Sequence, residues 1–140
     1  NNLIYKVCRM ITTNRALIID SIVIMRGVIR DILNPFFSEI YEESAYKEAW
    51  YIFCKKLPFL VTIELSIDPQ KSLQGLKLIQ SLHKKNPQSH IIVISASDQN
   101  KIRDKAYNCG VTAFLTKPFD APTLQSLVKN ILQEAKGELV

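Results

Sequence analysis

One hundred and forty residues, 47% of them hydrophobic, suit a single domain around one core better than two. The net charge of +5 is mildly basic, but Lys and Arg are scattered along the chain. There is no basic helix with base-reading side chains and no interleaving of aromatics with cations, so nucleic-acid binding by this domain is not expected.

Apolar runs such as Ala16 to Ile19 and Ile91 to Ile94 are far too short to cross a bilayer, and no charged-then-apolar leader is recognisable, which points away from membranes and toward the cytoplasm. Cys8, Cys54 and Cys109 are odd in number, widely spaced and without a CxxC pair, the pattern of reduced, mostly buried thiols rather than of a disulfide frame or a zinc site. His83 and His90 have no ligand-like partner at helical spacing and read as surface or half-buried imidazoles.

Residues 1–14 stand apart as an extension or linker. Leu3, Ile4, Val7, Met10 and Ile11 recur at helical spacing, but so short a helix needs a partner surface to persist. The segment reads either as a connector from an upstream domain or as an arm packing on this domain or its twin. From Arg15 the pattern becomes regular. Ala16-Leu17-Ile18-Ile19 is a continuous apolar strand ending in Asp20, with Ser21 placed to cap a helix whose inner face is Met25, Val28, Ile29 and Ile32 and which stops before Pro35. A short second strand falls around Glu39 to Glu42. Ala45, Ala49, Ile52 and Phe53 then mark a helix face, closed by Lys55-Lys56, where cations favour the helix dipole.

Phe59 to Leu65, preceded by Pro58, has five apolar residues in seven and reads as a strand buried on both faces, with Glu64 at its far end. Ser66 to Ser72 is a polar turn containing Asp68-Pro69, leading to a helix with Leu76, Ile79 and Leu82 inward that ends near Pro87. Ile91-Ile92-Val93-Ile94 is a further buried strand closed by Ser95-Ala96, and a polar helix from Asp98 to Asn108 follows, stopped at Gly110. Thr112 to Leu115 is the last strand. Lys117-Pro118-Phe119-Asp120 breaks it, and Asp120 can cap a final helix with Leu124, Leu127, Ile131 and Leu132 inward. Five alternations of strand and helix imply an α/β fold: a doubly wound, five-stranded parallel sheet with helices on both faces, because parallel strands need crossover connections.

In such a sheet the residues following the long strands, Asp20, Glu64, Ser95 and Lys117, converge on one edge, where ligands bind. Two carboxylates, a hydroxyl and an ammonium together suit phosphoryl handling, or else a plain ion pair of Lys117 with Asp20 or Glu64 and no chemistry. A nucleotide binder is disfavoured, since Asp20-Ser21-Ile22-Val23 offers no Gly-rich phosphate cradle after the first strand.

From about Arg15 to Gln133 the sequence resembles the receiver domain of two-component response regulators. The resemblance rests on Ala16 to Asp20 with Met25-Arg26, on Gly75-Leu76-Lys77-Leu78-Ile79, on Ser95-Ala96, on Gly110, and on Phe114 with Thr116-Lys117-Pro118-Phe119, in order and at family-like spacing. It implies a flavodoxin-like sheet of strand order 2-1-3-4-5, a receiver unit over residues 15–136 with a tail at 137–140, and a signalling module rather than an enzyme. It assigns Asp20 to an acidic metal-binding position, Glu64 to the phospho-acceptor, Ser95 and Phe114 to the switch pair, Lys117 to the family's lysine and Pro118 to a cis peptide bond. The partners implied are a sensor histidine kinase or an effector domain, and a homodimer through the last two helices.

Two positions depart from the family pattern at the chemistry itself. The first strand of the family ends in two acidic residues, and here the second is Ser21; the acceptor, an Asp in the family, is Glu64. Losing one charged ligand lowers affinity for magnesium, and the added methylene displaces the acceptor carboxylate, so the expectation is an atypical receiver that holds magnesium weakly or not at all. The alternative is a receiver phosphorylated on Glu64 or on Asp68 in the longer following loop, with weakly bound magnesium.

Overall fold

A computed structural model describes residues 14–138, so the amphipathic stretch of residues 1–13, with Cys8, and the last two residues of the expected tail lie outside the described residues. The elements alternate as β1 (Arg15–Ile19), α1 (Val23–Leu33), β2 (Glu39–Glu43), α2 (Tyr46–Lys56), β3 (Leu60–Ile63), α3 (Pro69–Lys85), β4 (His90–Ser95), α4 (Asn100–Asn108), β5 (Ala113–Thr116) and α5 (Ala121–Glu138). The strands form one sheet in the order β2-β1-β3-β4-β5, every neighbouring pair parallel. Fold class and strand order are those expected from the sequence.

Period-two side-chain alternation divides the core into two layers. Leu17, Ile19, Val61, Ile63, Ile91 and Val93 point to one face, where Ala49 and Phe53 of α2, Leu76, Ile79 and Leu82 of α3 and Ala106 of α4 cover them. Ala16, Ile18, Leu60, Ile92 and Ile94 point to the other, under Ile29, Ile32 and Leu33 of α1 and Leu124, Val128 and Ile131 of α5. Burial on both faces is why β1, β3 and β4 read as unbroken apolar runs.

Several local expectations are corrected. Ser21 does not cap α1: the N-cap residue is Ile22, which has no side-chain cap, and the Ser21 hydroxyl is drawn instead to Glu64. Val28 is 44% exposed, and Leu33 takes its place on the inner face. Most of the expected polar turn at Ser66–Ser72 is helix. Asp68 is the N-cap of α3, its carboxylate accepting from the Gln70 N–H, and Pro69 fills the first helical position, where a missing N–H costs nothing. Strand β3 ends at Ile63, so Glu64 is the first residue beyond it. Helix α4 begins at Asn100, and its C-cap is Cys109, with Gly110 following at φ +106.

Candidate functional site

Strand register builds the site. Ile19 lies opposite Ile63 in the β1–β3 ladder, so the next residues, Asp20 and Glu64, leave the sheet side by side, with the Glu64 N–H donating to the Ile19 carbonyl at 2.9 Å. Ser95 pairs with Thr116 across β4 and β5, which brings Lys117 to the same edge, its N–H donating to the Ser95 carbonyl at 2.7 Å. The Lys117-Pro118 peptide is cis, as the resemblance implied.

The Lys117 Nζ reaches between the two carboxylates, 3.0 Å from Asp20 Oδ2 and 3.4 Å from Glu64 Oε1. Glu64 Oε2 accepts twice from Ser21, from its N–H at 3.1 Å and its hydroxyl at 2.9 Å. Asp20 Oδ1 accepts from the Ile22 N–H at 2.9 Å. Every carboxylate oxygen of the pair thus has a donor from the chain itself. Asp20 is the more deeply buried, and that burial pushes its carboxyl above the ordinary value against the opposing pull of the Ile22 N–H and of Lys117. Burial also acts on Glu64, but the two Ser21 donors and the Lys117 charge outweigh it and hold this carboxyl below its usual range.

Asp20, Glu64 and Lys117 therefore meet, and Ser95 and Phe114 stand apart from them. The Ser95 hydroxyl donates to the Leu65 carbonyl at 3.0 Å and accepts from the Ser97 N–H at 3.1 Å, which ties β4 to the loop after β3. Phe114 is half-buried on β5, with the Arg103 guanidinium 5.2 Å from its ring centroid. Asp68 is committed to its cap on α3.

Sequence reasoning places Ser21 at the site but misses its bond to Glu64, and it misses Tyr46, Arg26 and Glu42 altogether. The sequence offers Ser21 as a cap and as the replacement of an acidic ligand, and a hydroxyl beside an over-long carboxylate is a natural donor to it. Tyr46 donates its phenol to the Glu64 carbonyl at 2.9 Å, and burial, then the charges of Glu64 and Asp20, push that phenol up to about 12. Arg26 donates to the Asp20 carbonyl at 2.6 Å, and Glu42 holds both Arg26 and Arg30. A cleft of about 250 Å³ opens beside the pair, lined also by Ser44, Ser66, Lys71 and Gln74.

This donor set fits a magnesium ion poorly. Octahedral binding needs carboxylate oxygens free to face the ion, and here an ammonium, a hydroxyl and two N–H groups take them. Among the described residues, no group of three or more His, Cys, Asp or Glu side chains is placed to hold a metal. Nor is any described helix long and apolar enough to cross a membrane.

The family model for the response regulator receiver domain matches residues 16–129. The chain is 30% identical over 119 residues to protein CcdB of Bacillus subtilis, covering 84% of this chain and 97% of that one. It is 29% identical over 106 residues to the chemotaxis protein CheY of Thermotoga maritima, covering 75% and 86% of the two. Among solved structures, a CheY-like receiver domain protein from Methanospirillum hungatei shares the fold with a TM-score of 0.79 at 20% identity, over 89% of this chain and 98% of that one.

Proposed function

We propose, because this chain belongs to the response regulator receiver domain family, that it is an atypical receiver whose acidic site is held in one state by its own side chains. A receiver domain is a module of two-component signalling and not an enzyme. One observation carries the atypical reading: Lys117 bridges Asp20 and Glu64 while Ser21 binds the remaining Glu64 oxygen twice. The extra methylene of Glu64 lets its carboxylate reach Ser21, the position where the family has its second acid. Glu64 then places a fixed negative charge beside Lys117, imitating a phosphoryl group without its turnover.

On this reading the domain acts in the cytoplasm through protein contacts, with a sensor histidine kinase or an effector domain as partner, and self-association runs through α4 and α5. The receiver unit spans residues 15–136. Ser95 and Phe114 keep the switch positions, Ser95 bound to the loop after β3 and Phe114 under Arg103. Magnesium plays no part in the resting site.

The test is incubation with a small phosphodonor and magnesium, followed by intact mass. The expected result is an unchanged mass. A gain of one phosphoryl group that disappears in Glu64→Ala, or in Asp68→Ala, overturns the reading in favour of a phosphorylatable receiver.

A further inference from the structure

Two of the cations that look scattered along the sequence, Lys101 and Lys105, flank one groove of the surface. Helix α3 carries Lys71, Lys77, Lys84 and Lys85 behind its N-cap Asp68, and the neighbouring α4 carries Lys101, Arg103 and Lys105 against Asp104, with Asp98 two residues before it, so the pair of helices is net positive. Arg103 is engaged with Phe114. Lys101 and Lys105 lie one turn apart on the same side of α4, a like-charge pair that weakens a helix when no acid answers it. Neither forms an ion pair with a described carboxylate.

Those two lysines wall a groove of about 290 Å³ between α4 and the start of α3. Its apolar lining comes from Ile67, Leu73, Leu76 and Ile102, with Ile67 74% exposed and Leu73 52% exposed. Exposed aliphatic side chains beside unanswered cations are the complement of an aliphatic anchor flanked by carboxylates. A second hollow, lined by Gln80, Ser81, His83 and Lys84 of α3 with Asn108 and Cys109, lies further along the same two helices toward their C-terminal ends.

We propose that the groove between α3 and α4 docks an acidic, amphipathic helix of a partner protein, with a Leu-type side chain seated against Ile67, Leu73 and Ile102 and its carboxylates on Lys101 and Lys105. No aromatic side chain lines the groove, so it offers no platform for stacked bases. Its apolar residues line a concavity rather than a protruding face, which suits a side-chain anchor better than a lipid surface. The docking surface differs from the α4–α5 face assigned above to self-association, and it holds whichever way the phosphodonor experiment turns out.

The experiment uses the full chain and a synthetic helical peptide of Glu, Ala and Leu, with a version of the same composition whose Leu residues are scattered around the helix. Backbone amide shifts and fluorescence anisotropy are the readouts, with single-stranded DNA and anionic vesicles run in parallel. The amphipathic peptide is expected to shift the amides of Ile67, Leu73, Lys101 and Ile102. Lys101→Glu with Lys105→Glu, and separately Ile67→Ser, should each weaken binding roughly tenfold, the loss expected for a central interface contact. These residues are on the surface, and an unchanged melting temperature in each variant excludes unfolding as the cause. The proposal is overturned if the scattered peptide binds equally well, if the shifts map to α5 instead, or if DNA or vesicles bind more tightly than the peptide and are weakened by the same substitutions.

Discussion

Tyr46 joins stability to the site through one hydrogen bond. Its phenol is neutral when protonated, donates to the Glu64 carbonyl, and is pushed from an ordinary 10.0 to about 12 by burial and by the neighbouring carboxylates. Below pH 10 folded and unfolded chains both keep the proton and the stabilisation is complete. Between pH 10 and about 12 the unfolded chain loses its proton first, so stability falls as pH rises, by about 2 kcal/mol in total. Urea unfolding of the wild type and of Tyr46→Phe across that range should show the slope in the former and a flatter profile in the latter; parallel profiles would mean that the phenol is not held this way. Ser21 shows why such contacts are hard to read from sequence. Its position after β1 and before an apolar helical pattern satisfies the local signature of an N-cap, and what overrides it is a carboxylate forty-three residues away in sequence.

Helix α3 shows the same limit one level up. Asp68-Pro69 reads as a turn from sequence because an Asx turn and an N-cap followed by proline use the same local chemistry. The apolar rhythm of Leu76, Ile79 and Leu82 starts only after the first turn, since Pro69, Gln70 and Lys71 face solvent and carry no periodic signal. Gly75 was legible as a family-like residue but not as a packing residue. A Cβ there would run into the Leu65 side chain and come within 2.8 Å of the Tyr46 hydroxyl, so glycine lets α3 lie close against the loop after β3 and the start of α2. Gly75→Ala gains the helix propensity of Ala, worth up to about 1 kcal/mol, but must displace Leu65 or Tyr46, and overpacking of this kind costs about 1–3 kcal/mol. A net loss of stability in chemical denaturation is therefore expected, accompanied by weaker amide-exchange protection at Glu64, next to Leu65, where the N–H donates to the Ile19 carbonyl; a stabilised variant would show that the contact yields freely.

At the scale of the molecule, the sheet and its carboxyl-end cluster were legible because each rests on a repeated pattern. Unbroken apolar runs alternating with helical periods leave few topologies, and parallel register then brings Asp20, Glu64 and Lys117 together without any detail of their side chains. The groove beside Lys101 and Lys105 was not legible, because the residues that line it come from α3 and α4, far apart in the chain. On the proposed reading, the same separation between scaffold and side chain makes the site's state a matter of two residues rather than of the fold. Ser21→Asp with Glu64→Asp restores the acidic pattern of the family, shortens the side chain that now reaches residue 21, and adds a charge that Lys117 alone cannot balance. The double variant should be less stable than the wild type without metal and should regain stability with magnesium, its melting temperature rising by about 5 °C when the ion is several-fold above its dissociation constant. The wild type, with its carboxylate oxygens already bound by the chain, should not respond. Equal responses of the two proteins to magnesium would show that Lys117 and Ser21 yield their partners readily, and that the site is not held shut from within.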